Sequence, residues 1–139
     1  MKNSFATVEY AGDDFFVATV PSGHAQVIDI KGERSAATGP SELLFIALGG
    51  CSGADVISVL QKKREKVTGY KIEIRAERRE EHPLSYRKFE VKHIVRGRGI
   101  SEKAVAQAIQ LSTDKYCGVA ATLRPTAEIV TSYEIQEEP

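Results

Sequence analysis

Net charge is the first thing this sequence lacks, because its 19 basic and 19 acidic residues cancel. No global field then recruits nucleic acid or an anionic membrane surface. Cysteine is scarce as well. Two in 139 residues are too few for a disulfide framework but enough for one transient, redox-active pair. The three histidines, His24, His82 and His93, have no spacing to one another or to the cysteines that reads as a metal site, which for zinc needs about four ligands. No metal is therefore expected. The opening MKNSFATVEY has one lysine and no apolar h-region, so no secretory signal is read and a cytoplasmic location is expected. Repeats, low-complexity tracts and interdomain linkers are missing too, which leaves a single domain over 1–139 with one core.

What is present is organised around the stretch from Thr38 to Val67. Pro40 suits a first helical turn, Thr38 or Ser41 can cap it, and Glu42 complements the positive end of the helix dipole. Lys62, Lys63, Arg64 and Lys66 complement the negative end, and Gly69 is the expected stop. A helix from Ser41 to Lys66 would be roughly 39 Å long at about 1.5 Å per residue, enough to cross the domain. Between Leu43 and Leu60 only Asp55 is formally charged, so this helix is expected to be buried on several sides. Its apolar run is shorter than the roughly 20 residues of a span and is diluted by glycine and Asp55, which argues against a membrane helix. Gly49, Gly50 and Gly53 each cost about 1 kcal/mol relative to alanine. Because Gly49 and Gly53 share a face, a second helix or a second copy of this one is expected to pack there.

Before the helix, Ser4 to Tyr10, Phe15 to Val20 and His24 to Ile30 read as three strands, joined by turns at Gly12-Asp13-Asp14 and Pro21-Ser22-Gly23. After Gly69, a strand from Tyr70 with one wet face is followed by another at Arg87 to Arg96, whose Phe89, Val91, His93 and Val95 share a side. Ser101 caps an amphipathic helix, SEKAVAQAIQLSTDK. A short helix, Gly118 to Leu123, follows Cys117, and Ala127 to Ile135 is the last strand. The order βββαββααβ predicts an α+β fold with antiparallel sheets wrapped on a long central helix.

The two cysteines have two readings. As free thiols they are among the most buried residue types and can be plain core. As reactive groups, Cys51 has room among Gly49, Gly50, Ser52 and Gly53, and Cys117 precedes a helix whose free N–H groups would lower its pKa. Asp55, one turn beyond Cys51, is expected to make an interhelical or capping hydrogen bond with whatever packs on that face.

The segment Gly39-Pro40-Ser41-Glu42-Leu43-Leu44 leading to Gly49-Gly50-Cys51-Ser52, together with Lys115-Tyr116-Cys117-Gly118-Val119-Ala120, resembles the OsmC/Ohr family of thiol-dependent hydroperoxide reductases, and more closely its YhfA-like branch. The resemblance implies an intertwined homodimer and a cysteine-based peroxidase of organic hydroperoxides, with no metal and no organic cofactor. It implies Cys51 as the peroxidatic thiol, Cys117 as the resolving thiol, and a dithiol reductant, in this family often a lipoyl group. The family's activating pair is a glutamate directly after the helix-start proline and an arginine. Here Ser41 occupies the glutamate position, with Glu42 next, and Arg34 is the positional candidate for the arginine. Leu48, Val119 and Leu123 are expected among the apolar walls. Two other readings share this architecture: a non-catalytic small-ligand-binding or redox-sensing module, and a thioesterase-like domain in which Asp55 would be the carboxylate.

Overall fold

The computed structural model describes residues 2–139. Its elements follow the expected order: β1 (Thr7–Gly12), β2 (Phe15–Thr19), β3 (Ala25–Asp29), α1 (Pro40–Lys62), β4 (Lys66–Arg78), β5 (Tyr86–Arg98), α2 (Glu102–Leu111), a π-helical turn (Ser112–Tyr116), α3 (Gly118–Leu123) and β6 (Glu128–Glu137). The described chain divides into two compact units, one ending at Leu44 and the other running from Phe45 to Pro139.

In the first unit β1, β2 and β3 form an antiparallel meander. The first turn is tight because Asp13 and Asp14 both take positive φ, 50° and 62°, as a two-residue hairpin requires. Strand β1 starts at Thr7 rather than Ser4 because β2 ends at Thr19, the partner of Thr7, and residues further out have no ladder to join. Five of the six β1 residues are exposed.

The loop after β3 is held by a polar knot. Asp29, its side chain fully buried, accepts the N–H groups of Lys31 and Ala36 and a paired contact from Arg34 Nε and Nη2. Arg34 also reaches Asp13 and lies 4.0 Å above the Phe15 ring. Hydrogen bonds from Arg34, and then those from the two backbone N–H groups, hold the Asp29 carboxyl well below the usual carboxylate range against the opposing effect of burial. A carboxyl depressed in the folded state stabilises the protein above its unfolded value of about 3.9, and that stabilisation is lost as pH falls through the folded value. Asp29→Asn is therefore expected to lower the urea midpoint at neutral pH and to flatten its fall below about pH 4. Superimposable pH profiles for the two proteins would remove Asp29 as a cause of acid lability.

Helix α1 is shorter than its charge pattern suggested. It ends at Lys62, Arg64 turns left-handed at φ 57°, and Lys66 already belongs to β4. Of the four basic residues only Lys62 lies in the last turn. Gly69 is not the helix stop but follows an irregularity in the β4–β5 ladder. The start differs as well: Glu42, not Thr38 or Ser41, satisfies the helix entry by accepting the Gly39 N–H at 2.9 Å, the N3 half of a capping box.

In the second unit the thirteen-residue strands β4 and β5 pair antiparallel over twelve residue pairs. The expectation of antiparallel pairing throughout fails at β6, which runs parallel to β5. A parallel pair needs a long crossover, and α2, the π-turn and α3 supply it. Val56 and Leu60 of α1, Val95 of β5, and Ala104, Val105, Ala108 and Ile109 of α2 form the core.

The glycine face of α1 is occupied from within the same chain. A Cβ at Gly49 would sit 3.0 Å from Ile74 Cδ1 and one at Gly53 2.8 Å from Ile72 Cδ1, whereas Gly50 faces open space. The small residues thus admit isoleucines of β4, not a second helix. Within the chain α1 buries only Leu48, Ser52, Val56 and Leu60, so the expected burial on several sides is not met, and Ile46 remains 59% exposed. With 23 residues and a mean hydropathy of 2.0 over its most apolar window, α1 is long and apolar enough to cross a membrane. The core helix of a soluble protein has the same length and composition, so neither assigns a span to α1.

Candidate functional site

Both cysteines belong to the second unit, and the fold brings them together. Cys51 is half-buried in the middle of α1, and Cys117 is 3% exposed at the N-cap of α3. Their sulfurs lie within 4.8 Å of each other, and a carboxylate oxygen of Asp55 is within the same distance of both. Both thiols are free. Residues 51 and 52 each neighbour residue 55 on α1, which lies four positions beyond one and three beyond the other. Ser52, 8% exposed, places its hydroxyl 3.6 Å from Cys117 Sγ.

The π-turn sets the other half of the site. Its wider winding lets the Cys117 N–H reach the Ser112 carbonyl at 2.8 Å, while Ser112 Oγ donates to Asp55 at 2.9 Å. The expected regular helix through Lys115 is replaced by this turn, of a kind frequent at functional sites. Asp55 is thus bonded within its own chain, between α1 and the π-turn, and beside the thiols. The equivalence of residues 51 and 55 on one helix face was readable from spacing. The place of Ser112 also follows from spacing, since it lies seven positions after Val105 and four after Ala108 on the buried face of α2, but its partner on α1 carried no local signal.

The helix start after Cys117 does not leave the thiol acidified. Burial pushes the thiol up, and contact with Cys51 adds to this, outweighing the Ala120 N–H that points at the sulfur from 3.3 Å and the Ser52 hydroxyl. A helix of six residues carries too little dipole to offset a nearly complete loss of water.

Glu42 and Arg34 lie in the first unit, where each already has a structural task. Glu42 binds the Gly39 N–H, and Arg34 spends four hydrogen bonds on Asp29 and Asp13. Of the expected walls, Leu48 is fully buried and Val119 and Leu123 are partly so. The open volume next to the site is instead a cleft of about 380 Å³ lined by Asp55, Ser58, Val59, Lys62, Lys63, Leu111 and Tyr116.

His93 is core. It is 1% exposed, its Nδ1 is 2.7 Å from Tyr70 Oη, and burial pushes it down to about 4, so it is neutral near pH 7. Burial and the Asp55 charge raise the Tyr70 phenol, which therefore keeps its proton and shares one hydrogen bond with the neutral ring.

Comparison with known proteins agrees with this architecture. The family described as OsmC-like protein matches residues 32–132. Protein YhfA of Escherichia coli K12 is 38% identical over 131 residues, covering 94% of this chain and 96% of that one. A hypothetical protein from Aquifex aeolicus VF5 has the same fold at TM-score 0.89 and 33% identity over 100% of both chains. The organic hydroperoxide resistance protein OhrB of Bacillus subtilis shares the fold at TM-score 0.64 and 12% identity, covering 96% of this chain and 98% of that one. With its family match over most of the sequence and its two thiols brought together at the junction of α1 and α3, this chain belongs to the OsmC-like family.

Proposed function

We propose that this protein is a thiol-dependent peroxidase that reduces organic hydroperoxides to alcohols. The observation that carries the reading is the pair of free sulfurs within 4.8 Å, one half-exposed and one buried. The half-exposed Cys51 attacks the distal peroxide oxygen as a thiolate. The O–O bond breaks, the alkoxide takes a proton and leaves as alcohol, and Cys51 becomes a sulfenic acid. The Cys117 sulfur then attacks Cys51, water leaves, and a disulfide of about 2.05 Å forms after small side-chain rotations. A dithiol, such as a lipoyl group, donates two electrons and two protons to restore both thiols.

Access decides which sulfur the reductant meets. Because Cys117 is buried and held protonated rather than acidified, it has no advantage as a leaving group. Attack falls on Cys51 because that residue is the more exposed of the two. The hydroperoxide resistance named for OhrB supports the substrate class, and the cleft between Val59, Leu111 and Tyr116 offers apolar surface to an alkyl chain. We propose further that the protein works in the cytoplasm as an intertwined homodimer, in which a second copy covers the exposed apolar part of α1 and the exposed β1.

A second reading, a non-catalytic redox-sensing module, is favoured by one observation: Glu42 and Arg34, the candidates for the activating pair, are engaged elsewhere. A stoichiometric pulse of alkyl hydroperoxide followed by intact-mass spectrometry separates the two. The enzyme is expected to lose two hydrogens rapidly, with peptide mapping placing the link between Cys51 and Cys117. Slow, scattered oxidation would favour the module.

A further inference from the structure

We infer that Cys51, Asp55 and Cys117 form a binding site for one thiophilic divalent cation of the zinc class, with a solvent molecule completing the coordination. The inference uses the same two thiols as the proposed peroxidase but does not require them to reduce peroxide.

The donor set is the first argument. Two sulfurs and a carboxylate oxygen lie mutually within 4.8 Å. In a tetrahedral zinc site with Zn–S of about 2.3 Å and Zn–O of about 2.0–2.2 Å, ligand atoms are roughly 3.5–3.8 Å apart. Side-chain rotations closing the triangle by at most about 1 Å suffice. Three protein ligands with one open position is a regular zinc arrangement, and the half-exposed Cys51 leaves that position on the solvent side. Soft sulfur ligands select zinc-like ions over magnesium or calcium.

The ligands are also held in place. Ser112 Oγ donates to Asp55, and the Ala120 N–H and the Ser52 hydroxyl contact Cys117 Sγ. Such supporting contacts orient ligands and strengthen binding. Charge balance follows from the same groups: the ion displaces one proton from each thiol to solvent, and two thiolates and one carboxylate then face a double positive charge. The bonds that hold the metal use the lone pairs and sulfurs that a disulfide consumes. Metal and disulfide are therefore mutually exclusive, and the bound ion shields both thiols from oxidants.

Anaerobic titration of the reduced full-length protein with Co2+ tests this without any measurement of turnover. The expected result is saturation at one ion per chain, with thiolate-to-cobalt charge-transfer absorption in the near ultraviolet and tetrahedral d–d bands in the red, reversed by Zn2+ and not by Mg2+. Protein carrying the Cys51–Cys117 disulfide is expected to give no bands. Asp55→Asn, which keeps the shape and can still accept from Ser112, is expected to retain the charge-transfer bands but to bind at least about tenfold more weakly. In the wild type, one equivalent of Zn2+ is expected to slow alkylation of Cys51 by iodoacetamide. Absence of thiolate bands at stoichiometric Co2+, bands that persist in the disulfide form, or an Asp55→Asn affinity equal to wild type would each overturn the site. A protein that binds Co2+ in this way yet fails to form the disulfide on a hydroperoxide pulse would retain the metal site and lose the peroxidase.

Discussion

Cys51→Ser protein, assayed with an alkyl hydroperoxide and a dithiol in excess, is expected to consume peroxide at the rate of the reagents alone. A serine hydroxyl in the same place does not ionise near neutral pH and has no sulfenic acid to form, so no step of the cycle can begin. Cys117→Ser is expected to behave differently, because the first step needs only the half-exposed thiol. It should release about one equivalent of alcohol per chain in a burst and then stall with Cys51 as a sulfenic acid, trapped by dimedone, or further oxidised. In the wild type, burial of Cys117 raises its pKa, so the fraction of resolving thiolate grows with pH and the disulfide should form faster in mildly alkaline buffer than at neutrality. Full multiple turnover by Cys51→Ser protein would sink the peroxidase assignment.

The largest effect expected on stability is at Leu60. This residue is fully buried near the end of α1 and packs in the cluster with Val56, Val95, Val105 and Ile109. Truncation removes three carbons from a site that a helix and a strand hold apart, and partial relaxation leaves a cavity. Leu60→Ala is expected to lower the free energy of unfolding by about 2–5 kcal/mol, read from urea titration with an unchanged m-value. The same packing fixes α1 against α2, and the chain leading out of α2 delivers Cys117 to Cys51. The variant should therefore also form the Cys51–Cys117 disulfide more slowly after a peroxide pulse. A change in stability below about 1 kcal/mol would mean that this cluster is not the core of the second unit.

Patterns that depend on near neighbours were legible in the chain. The burial of Phe89, Val91, His93 and Val95 follows from a period of two along β5, and α3 spans Gly118–Leu123 because Pro125 closes what Cys117 opens. The end of α1 was less legible. KKREK is equally good helix and strand-entry sequence, and the left-handed turn at Arg64 is set by where β4 must start to pair with β5. The glycines of α1 marked a close approach correctly but not its partner, since the spacing of Gly49 and Gly53 is compatible with a helix or with the isoleucine tips of β4.

By itself the sequence determined the order of elements, the long helix and the two thiols, because each depends on local periodicity, on capping and turn residues, or on a pair of short motifs. Only the tertiary structure decided that Cys117 is buried rather than acidified, that Asp55 stands beside both sulfurs through Ser112, and that β6 joins its sheet in parallel. Those outcomes depend on which distant segments exclude water from one another, and residues 65 positions apart, such as Ser52 and Cys117, carry no local signal of meeting.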